Sequence, residues 1–276
     1  MLLSAKLAPT FDYPVMEQFW RAADELGFHC VANYDHFYGL QDHADPTLEG
    51  WTSLAAMAAI VRRARVSCMV SGVTYRNPAL LAKMAVTVDH ISGGRMDFGL
   101  GAGWHEAEHR AYGLEFPSGG TRVAMLDEAL TLIKRLWTEE SVTFEGRFYT
   151  LRDALCEPKP LQRPHPPIVV GGEKPKMLRV VARHADEWNV PSHGDVAEWT
   201  ATSAALDEAC VEVGRDPADI TRSVQLFVQP AKAGHLEEQL ARLPELTSRG
   251  CEHAVLSFYQ PPTAHQLQEC AAHIGG

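Results

Sequence analysis

Short apolar runs alternate with longer amphipathic segments along most of the chain. The runs span three to seven residues and are often β-branched, which is typical of parallel strands buried on both faces. Between them, apolar residues recur every three or four positions, which predicts helices. The predicted strands are Leu2–Ala8, Cys30–Asn33, Arg65–Val70, Arg95–Leu100, Ile168–Gly172, Trp188–Val190, Ser223–Val228 and Ala254–Phe258. The predicted helices are Val15–Leu26, Leu54–Val61, Leu80–His90, Val123–Trp137, Met177–His184, Val196–Val213, Leu236–Arg249 and Ala264–Ile274.

Glycine and proline support these boundaries. Gly27 follows the first predicted helix, Pro78 stands in the first turn of the third, and Gly93 and Gly94 end it. Eight strands that alternate with eight helices over 276 residues predict an α/β fold of the (β/α)8 TIM-barrel type. We expect one domain over residues 1–276. An open, doubly wound sheet is the alternative.

Residues 138–167 interrupt the alternation between the fourth and fifth barrel units. Val142 and Phe144 on one side, and Phe148 and Tyr149 on the other, flank Glu145-Gly146-Arg147, which predicts a small hairpin. The proline-rich remainder predicts a surface excursion, and long excursions are usually functional.

Composition narrows the function. The net charge is −10, so the chain lacks the excess of cations that binding to nucleic acid or an anionic membrane requires. No stretch reaches the ~20 apolar residues of a membrane helix. The six cysteines form no CxxC pair, which favours reduced thiols, and the first residues do not resemble a secretory signal. We therefore expect a cytoplasmic protein.

Chemistry in a barrel lies at the carboxyl ends of the strands. Tyr34-Asp35-His36-Phe37 follows the second predicted strand, and a histidine there can move a proton near neutral pH. Asp35 and His36 are the candidate catalytic residues. The alternative is a helix cap beside a surface histidine.

Three glycines, Gly99, Gly101 and Gly103, alternate at the end of the fourth predicted strand. The spacing is not the GxGxxG of a dinucleotide fold, which moreover belongs in the first unit. Close backbone packing against a planar ligand is the favoured interpretation.

The next residues, HEAEH at positions 105–109, match the HExxH pattern of zinc proteases. Such enzymes carry the pattern within a long helix, whereas here it abuts a glycine turn in a charged segment that we expect to be solvated. A zinc hydrolase is a remote alternative, and we predict no metal site.

A glycine pair, Gly171-Gly172, precedes a predicted helix. The free N–H groups of a helix N-terminus, with Lys174 and Lys176 nearby, suit a phosphate, although Glu173 opposes it. An ordinary strand–helix turn is equally compatible with this pattern.

Three segments resemble the luciferase-like monooxygenase superfamily, and most closely its subgroup that uses the deazaflavin coenzyme F420. They are residues 24–37 (DELGFHCVANYDHF), 74–113 (TYRNPALLAKMAVTVDHISGGRMDFGLGAGWHEAEHRAYG) and 153–189, from DALCEPKPLQRPHPPIVVGG to LRVVARHADEWN. The resemblance implies a barrel oxidoreductase that transfers a hydride between F420 and a small, fairly apolar organic substrate. An FMN-dependent monooxygenase on the same fold is the nearest alternative, and a barrel that binds a flavin without catalysis is a third. The resemblance also implies that HEAEH is ordinary family sequence, and that the protein is a homodimer.

Roles follow from the resemblance residue by residue. His36 is the proton-handling group beside Asp35. The cofactor-binding residues are Met69, Val70, Ser71, Gly72, Gly103, Trp104, Gly171, Gly172 and Met177. Lys174 is added to them because its positive charge suits a phosphate. We expect an aromatic substrate pocket formed by Tyr34, Phe37, Trp104 and Tyr112.

Two finer expectations come from the same resemblance. The sugar-phosphate dehydrogenase branch has Glu where this chain has Trp104, and Trp where it has Leu40, so glucose-6-phosphate is not an expected substrate. A cis peptide is expected between Met69 and Val70, with Val70–Ser71 as the next candidate.

Overall fold

Eight parallel strands close into a barrel because the first pairs with the last. The computed structural model describes residues 1–40, 42–192 and 195–275. The strands are β1 (Leu2–Leu7), β2 (Cys30–Asn33), β3 (Arg65–Cys68), β4 (Ser71–Gly72), β5 (Met96–Gly101), β6 (Val142–Glu145), β7 (Thr150–Ala154), β8 (Ile168–Gly171), β9 (Glu187–Ser192), β10 (Thr221–Val228) and β11 (His253–Phe258). The order around the barrel is β1-β2-β3-β5-β8-β9-β10-β11, and β4 continues β3 along β5. The predicted TIM barrel is confirmed, and the open sheet is excluded.

Helices surround this sheet. In the described part of the chain they are α1 (Tyr13–Glu25), α2 (Gly50–Ile60), α3 (Pro78–Ser92), α4 (Glu106–Tyr112), α5 (Gly119–Thr138), α6 (Pro175–His184), α7 (Val196–Val213), α8 (His235–Leu240), α9 (Leu243–Ser248) and α10 (Ala264–Ala271). The predicted helix over Leu236–Arg249 is two helices, because Pro244 has no N–H to continue the first. Within the described ranges, no helix has both the length and the apolar character needed to cross a membrane.

The boundaries of α3 show how local sequence sets an element. Asn77 accepts hydrogen bonds from the N–H groups of Ala79 and Leu80, and Pro78 occupies the first turn. Gly93 ends the helix with φ at 68°, a conformation that glycine adopts without a steric penalty.

The excursion at 138–167 contains the predicted hairpin, formed by β6 and β7. Glu128 on α5 holds its turn by accepting hydrogen bonds from the N–H groups of Arg147, Phe148 and Tyr149. The returning chain is held by the buried Asp89 of α3, which accepts from the N–H of residue 161 at 2.6 Å.

Strand β3 ends in a bulge that shapes the carboxyl end of the barrel. The Met69–Val70 peptide is cis, at the first of the two expected positions. A Cβ at Gly99 would lie 2.0 Å from the Cys68 carbonyl oxygen, and one at Gly101 would lie 2.9 Å from Val70 Cγ2. Gly99 and Gly101 therefore both admit the neighbouring strand's bulge. Gly101 also lines the cavity at this end of the barrel, so close packing of its backbone against a ligand stays a prediction.

Candidate active site

A cavity of about 620 Å³ opens at the carboxyl ends of the barrel strands, and every barrel strand or the loop after it contributes to its walls. This volume is typical of a small-molecule site. The predicted site residues that line it are Tyr34, Asp35, His36, Met69, Val70, Ser71, Gly72, Gly103, Trp104, Gly171, Gly172 and Met177.

Three predicted site residues do not line this cavity. The Phe37 ring lies against Tyr112 at a centroid distance of 4.5 Å and against Tyr75 at 4.6 Å, so it packs beside the wall. Tyr112 is 59% exposed. Assigning Phe37 and Tyr112 to the pocket lining was wrong, because both belong to an aromatic cluster at its rim. Lys174 is exposed at the start of α6.

His36 is held by a carboxylate that sequence reasoning did not assign to it. Its Nδ1 lies 2.8 Å from Glu108 Oε2, and Glu108, the fourth residue of HEAEH, is fully buried. The other ring nitrogen, Nε2, has no hydrogen-bond partner among the residues that the structure describes. His36 is 8% exposed and lines the cavity.

Glu108 is ionised, and this fixes the histidine's tautomer. Burial alone would raise the pKa of Glu108, but hydrogen bonds from His36, Tyr75 and the Phe37 N–H lower it to about 2. An ionised carboxylate can only accept, so His36 carries its proton on Nδ1. Nε2 is then free to accept a proton.

Asp35, the other predicted catalytic residue, is engaged in an ion pair. Both of its carboxylate oxygens accept from the guanidinium of Arg76, which also pairs with Glu49. Glu49 in turn caps α2 by accepting from the N–H of Trp51 and Thr52. Asp35 therefore ties the end of β2 to the loop before α3 and to the start of α2.

The HEAEH helix is not the solvated segment that we expected, since Glu108 and His109 are both buried. His109 donates through Nδ1 to the His105 carbonyl, and its Nε2 lies 2.6 Å from Thr74 Oγ1. Both ring nitrogens of His109 are therefore occupied, and the zinc pair of His105 and His109 does not form.

A different trio brings metal-ligating atoms within 4.8 Å of one another, namely His36, His105 and Glu108. Glu108 already accepts three hydrogen bonds there. Burial lowers the pKa of His105, which keeps its ring neutral.

The wall around the bulge is fixed from behind. Ser71 Oγ accepts a hydrogen bond of 2.6 Å from the Trp51 indole N–H. Gly103, at φ 74°, could not take a side chain, because its Cβ would lie 2.8 Å from Thr74 Oγ1. Its carbonyl accepts from Arg122.

The opposite wall carries the glycine pair before α6. The Gly172 carbonyl accepts a hydrogen bond of 2.8 Å from the Trp188 indole N–H. Gly172 has φ at 123°, and a Cβ there would lie 3.2 Å from the Met177 side chain. The loop is thus held in a conformation that a side chain would disturb.

Lys6 of β1 lines the inner end of the cavity and was missed. It is 5% exposed, and its ammonium donates to Gln225 Oε1 of β10. The sequence pattern of β1 could have revealed it: side chains of a strand alternate between two faces, and the polar residues Ser4 and Lys6 interrupt the apolar run on the inward face. Phe227 and Tyr259, whose rings stack at 5.4 Å, were also missed because the sequence beyond Val190 contained no motif.

Comparisons with known proteins agree with this geometry. A model of the luciferase-like monooxygenase family matches residues 3–271. An F420-dependent glucose-6-phosphate dehydrogenase of Intrasporangium calvum is 34% identical over 209 residues, which cover 74% of this chain and 62% of that protein. An FMNH2-dependent dimethylsulfone monooxygenase of Pseudomonas putida is 29% identical over 239 residues, covering 86% and 63%. The chain thus spans somewhat under two thirds of the length of these two relatives.

Among solved structures, an F420-dependent secondary alcohol dehydrogenase in complex with an F420–acetone adduct superposes with a TM-score of 0.86. The alignment covers 99% of this chain and 98% of that one at 19% identity, so this likeness supports the fold alone.

Proposed function

The chain belongs to the luciferase-like monooxygenase family and is an oxidoreductase, and we propose that it transfers a hydride between coenzyme F420 and a small, fairly apolar organic substrate. The observation that carries the proposal is the His36–Glu108 pair at the cavity. When a hydride leaves a carbon that bears a hydroxyl, the hydroxyl proton must also leave, and a positioned base accelerates that step.

The residues at the cavity fit a planar ring. The Met69–Val70 bulge and Gly72 form one wall, and Gly103 and Gly171 leave the neighbouring strand ends free of side chains. When bound, the deazaflavin supplies the hydride acceptor or donor. The glycine loop at 171–172 and the start of α6 would hold its phosphate, with Lys174 and Lys176 on the solvent side.

His36 manages the proton in this proposal. Its Nε2 accepts the hydroxyl proton of the substrate as the carbon is oxidised, and returns it to the carbonyl oxygen in the reverse direction. The Glu108 carboxylate stabilises the resulting imidazolium through Nδ1, at 2.8 Å. Tyr75, which donates to Glu108 at 2.6 Å, holds that carboxylate in place.

The cavity wall near His36 favours an apolar substrate. The indole of Trp104 lies 5.5 Å from the His36 ring and the phenol of Tyr34 lies 5.1 Å from it. Leu40, Phe227 and Tyr259 complete an apolar surface. A carbonyl or alcohol with a short hydrocarbon substituent matches these walls.

An FMN-dependent monooxygenase is the second candidate, because the P. putida relative is FMNH2-dependent and the same cavity would take a flavin ring. Lys174 and Lys176 favour F420, since its tail continues beyond the phosphate with further acidic groups.

Anaerobic titration of the purified protein with F420 and with FMN, followed by absorbance and fluorescence, tests the proposal. We expect saturable F420 binding, and reduction of F420 by members of a panel of small alcohols. Binding of FMN reduced beforehand, with substrate consumption once oxygen is admitted, and no F420 binding, would replace the proposal by the second candidate.

Other features stay predictions, namely a single domain over residues 1–276, a homodimer, a cytoplasmic location, and the absence of metal and nucleic acid from the function. Sedimentation of the holoenzyme would test the dimer.

A further inference from the structure

The inner end of the cavity contains a buried positive charge, Lys6, that has no opposite charge beside it in the part of the chain that the structure describes. An ammonium has three N–H donors. Lys6 uses one on the Gln225 amide oxygen, and its Nζ lies 6.0 Å from the centroid of the Tyr34 ring. No other acceptor is found for it in the described ranges.

Acidic side chains do not compensate this charge. The carboxylates nearest the cavity are engaged elsewhere, Asp35 with Arg76 and Glu108 with His36. The four residues outside the described ranges carry no acidic side chain. Burial without a counter-charge disfavours the ammonium, and it lowers the pKa of Lys6 to about 8.

The ammonium is nevertheless held in a defined place. Asn189 Nδ2 donates to Ser223 Oγ, so its Oδ1 accepts from Gln225 Nε2 at 2.6 Å. This chain of hydrogen bonds directs the Gln225 oxygen, and not its NH₂ group, toward Lys6. A fold that needed only to fill the barrel would place an apolar side chain here, since an unpaired buried charge is costly.

We propose that Lys6 is an anion-binding residue of the cavity, whose ammonium pairs with a negatively charged oxygen or nitrogen of the ligand. The identity of that ligand rests on the proposed function, which brings two sources of such a charge. One is the reduced cofactor ring, at its pyrimidine edge. The other is a carboxylate or oxyanion on the substrate.

Three variants test the role of the charge. Lys6→Met removes it at similar length, Lys6→Arg retains it, and Gln225→Glu supplies a carboxylate from within. Lys6→Met removes the uncompensated charge and Gln225→Glu compensates it, so we expect both to raise the melting temperature of the ligand-free protein by a few degrees. We expect both to weaken anion binding, whereas Lys6→Arg binds within about threefold of wild type.

Binding of oxidised and reduced F420 separates the two sources. The acidic tail is common to both forms, so it cancels in the ratio of their dissociation constants. If the ring supplies the charge, Lys6→Met weakens the reduced form about tenfold more than the oxidised form, which lowers the bound cofactor's potential by about 30 mV. If the substrate supplies the charge, Lys6→Met binds oxidised and reduced F420 as wild type does. Acetate then no longer protects this variant against thermal unfolding.

The acetate measurement also separates this inference from the proposed function. Failure of wild type to bind F420 or FMN would defeat the proposed function, and acetate would still report on Lys6. Lys6→Met that binds both F420 forms and acetate like wild type would overturn the anion-binding role, whatever its melting temperature.

Discussion

Two layers of polar side chains lie inside the barrel, and they differ in how their charges are balanced. The lower layer, near the amino ends of the strands, contains the pairs Glu187–His253 and Arg65–Asp97, at 3.0 and 2.6 Å. The upper layer, at the cavity, contains Lys6, whose one hydrogen-bond acceptor among the described residues is the neutral amide oxygen of Gln225. The lower layer is complete in the protein alone, whereas the upper layer is completed by a ligand.

The lower layer also shows what a structural ionic pair requires. Burial would raise the pKa of Glu187 and lower that of His253, but their mutual attraction and hydrogen bond reverse both shifts. Ser4 Oγ occupies the remaining nitrogen of His253 at 2.7 Å. This Ser–His–Glu arrangement resembles a hydrolase triad, yet His253 is buried and Ser4 has no exposed surface. Its role is to satisfy charges in the fold.

The largest effect is expected at the cavity, where replacing His36 should lower turnover. We expect His36→Ala to lower turnover by roughly 10²–10⁴, the usual contribution of a general base, with the cofactor still bound. His43→Ala is the matched control, because this exposed histidine lies on the loop after His36. Wild-type turnover in His36→Ala would remove the residue from the mechanism.

In the lower layer the expected effect is on stability. Glu187→Gln leaves the buried His253 without its carboxylate and should cost on the order of 3 kcal/mol in the free energy of unfolding, measured by urea titration near pH 7. The wild-type pair should lose its contribution in acid, as Glu187 protonates, and in base, above the raised pKa of His253. Glu238→Gln, which breaks a surface pair with Arg242, should change stability little. Equal effects of the two variants would refute the structural role of the lower layer.

In base, the lower-layer pair loses its contribution to stability, whereas Lys6 should make the folded protein more stable as the pH rises. The folded protein releases this proton near pH 8 and the unfolded chain near 10.5, so the unfolded chain holds more protons in between. The ligand-free wild type should therefore gain on the order of 3 kcal/mol relative to Lys6→Met between pH 8 and 10.5. Tyr34 and Cys68, which face Lys6, have raised pKa values in both proteins and cancel in the difference. A difference independent of pH would contradict a buried, uncompensated ammonium.

A smaller effect is expected where the cavity meets solvent. Lys174→Glu should weaken F420 binding roughly twofold to fivefold, and reduce its dependence on salt, because charges near a helix N-terminus are partly screened. Arg249→Glu makes the same charge change at the opposite end of the barrel, after α9, and serves as the control. Identical dissociation constants for the two variants would assign the cofactor tail to another loop.

No effect at all is expected from removing metal. We expect substoichiometric zinc in the purified protein and unchanged turnover after EDTA, because Glu108 already accepts three hydrogen bonds and His109 is bonded to Thr74. One zinc per chain, lost in His105→Ala, would show that the trio of His36, His105 and Glu108 is a metal site.

Local patterns were sufficient for the barrel. A strand buried on both faces needs a run of apolar residues whatever its partners are, so all eight barrel strands could be located from the sequence. Pro244 marks the helix break in the same local way, although the period of apolar residues continues through it.

The site depended on contacts between distant segments. Asp35 is adjacent to His36 in sequence, but the carboxylate that binds His36 comes from a position 72 residues later. Glu108 resembles a solvated helical residue until α4 packs against the end of β2. Lys6 could be placed on an inward face, but only barrel closure shows that none of the described carboxylates pairs with it.

The protonation state of Lys6 distinguishes a buried ammonium without a counter-charge from an ordinary lysine. The chain has seven lysines, so lysine labelled with ¹³C at Cε gives a spectrum in which Lys6→Met identifies the signal. We expect the Lys6 resonance to titrate near pH 8 in the ligand-free protein, and its pKa to rise when the cavity is filled with reduced F420 or with acetate. A pKa near 10.5 in the free protein that neither reduced F420 nor acetate changes would show that Lys6 is not a buried anion-binding ammonium.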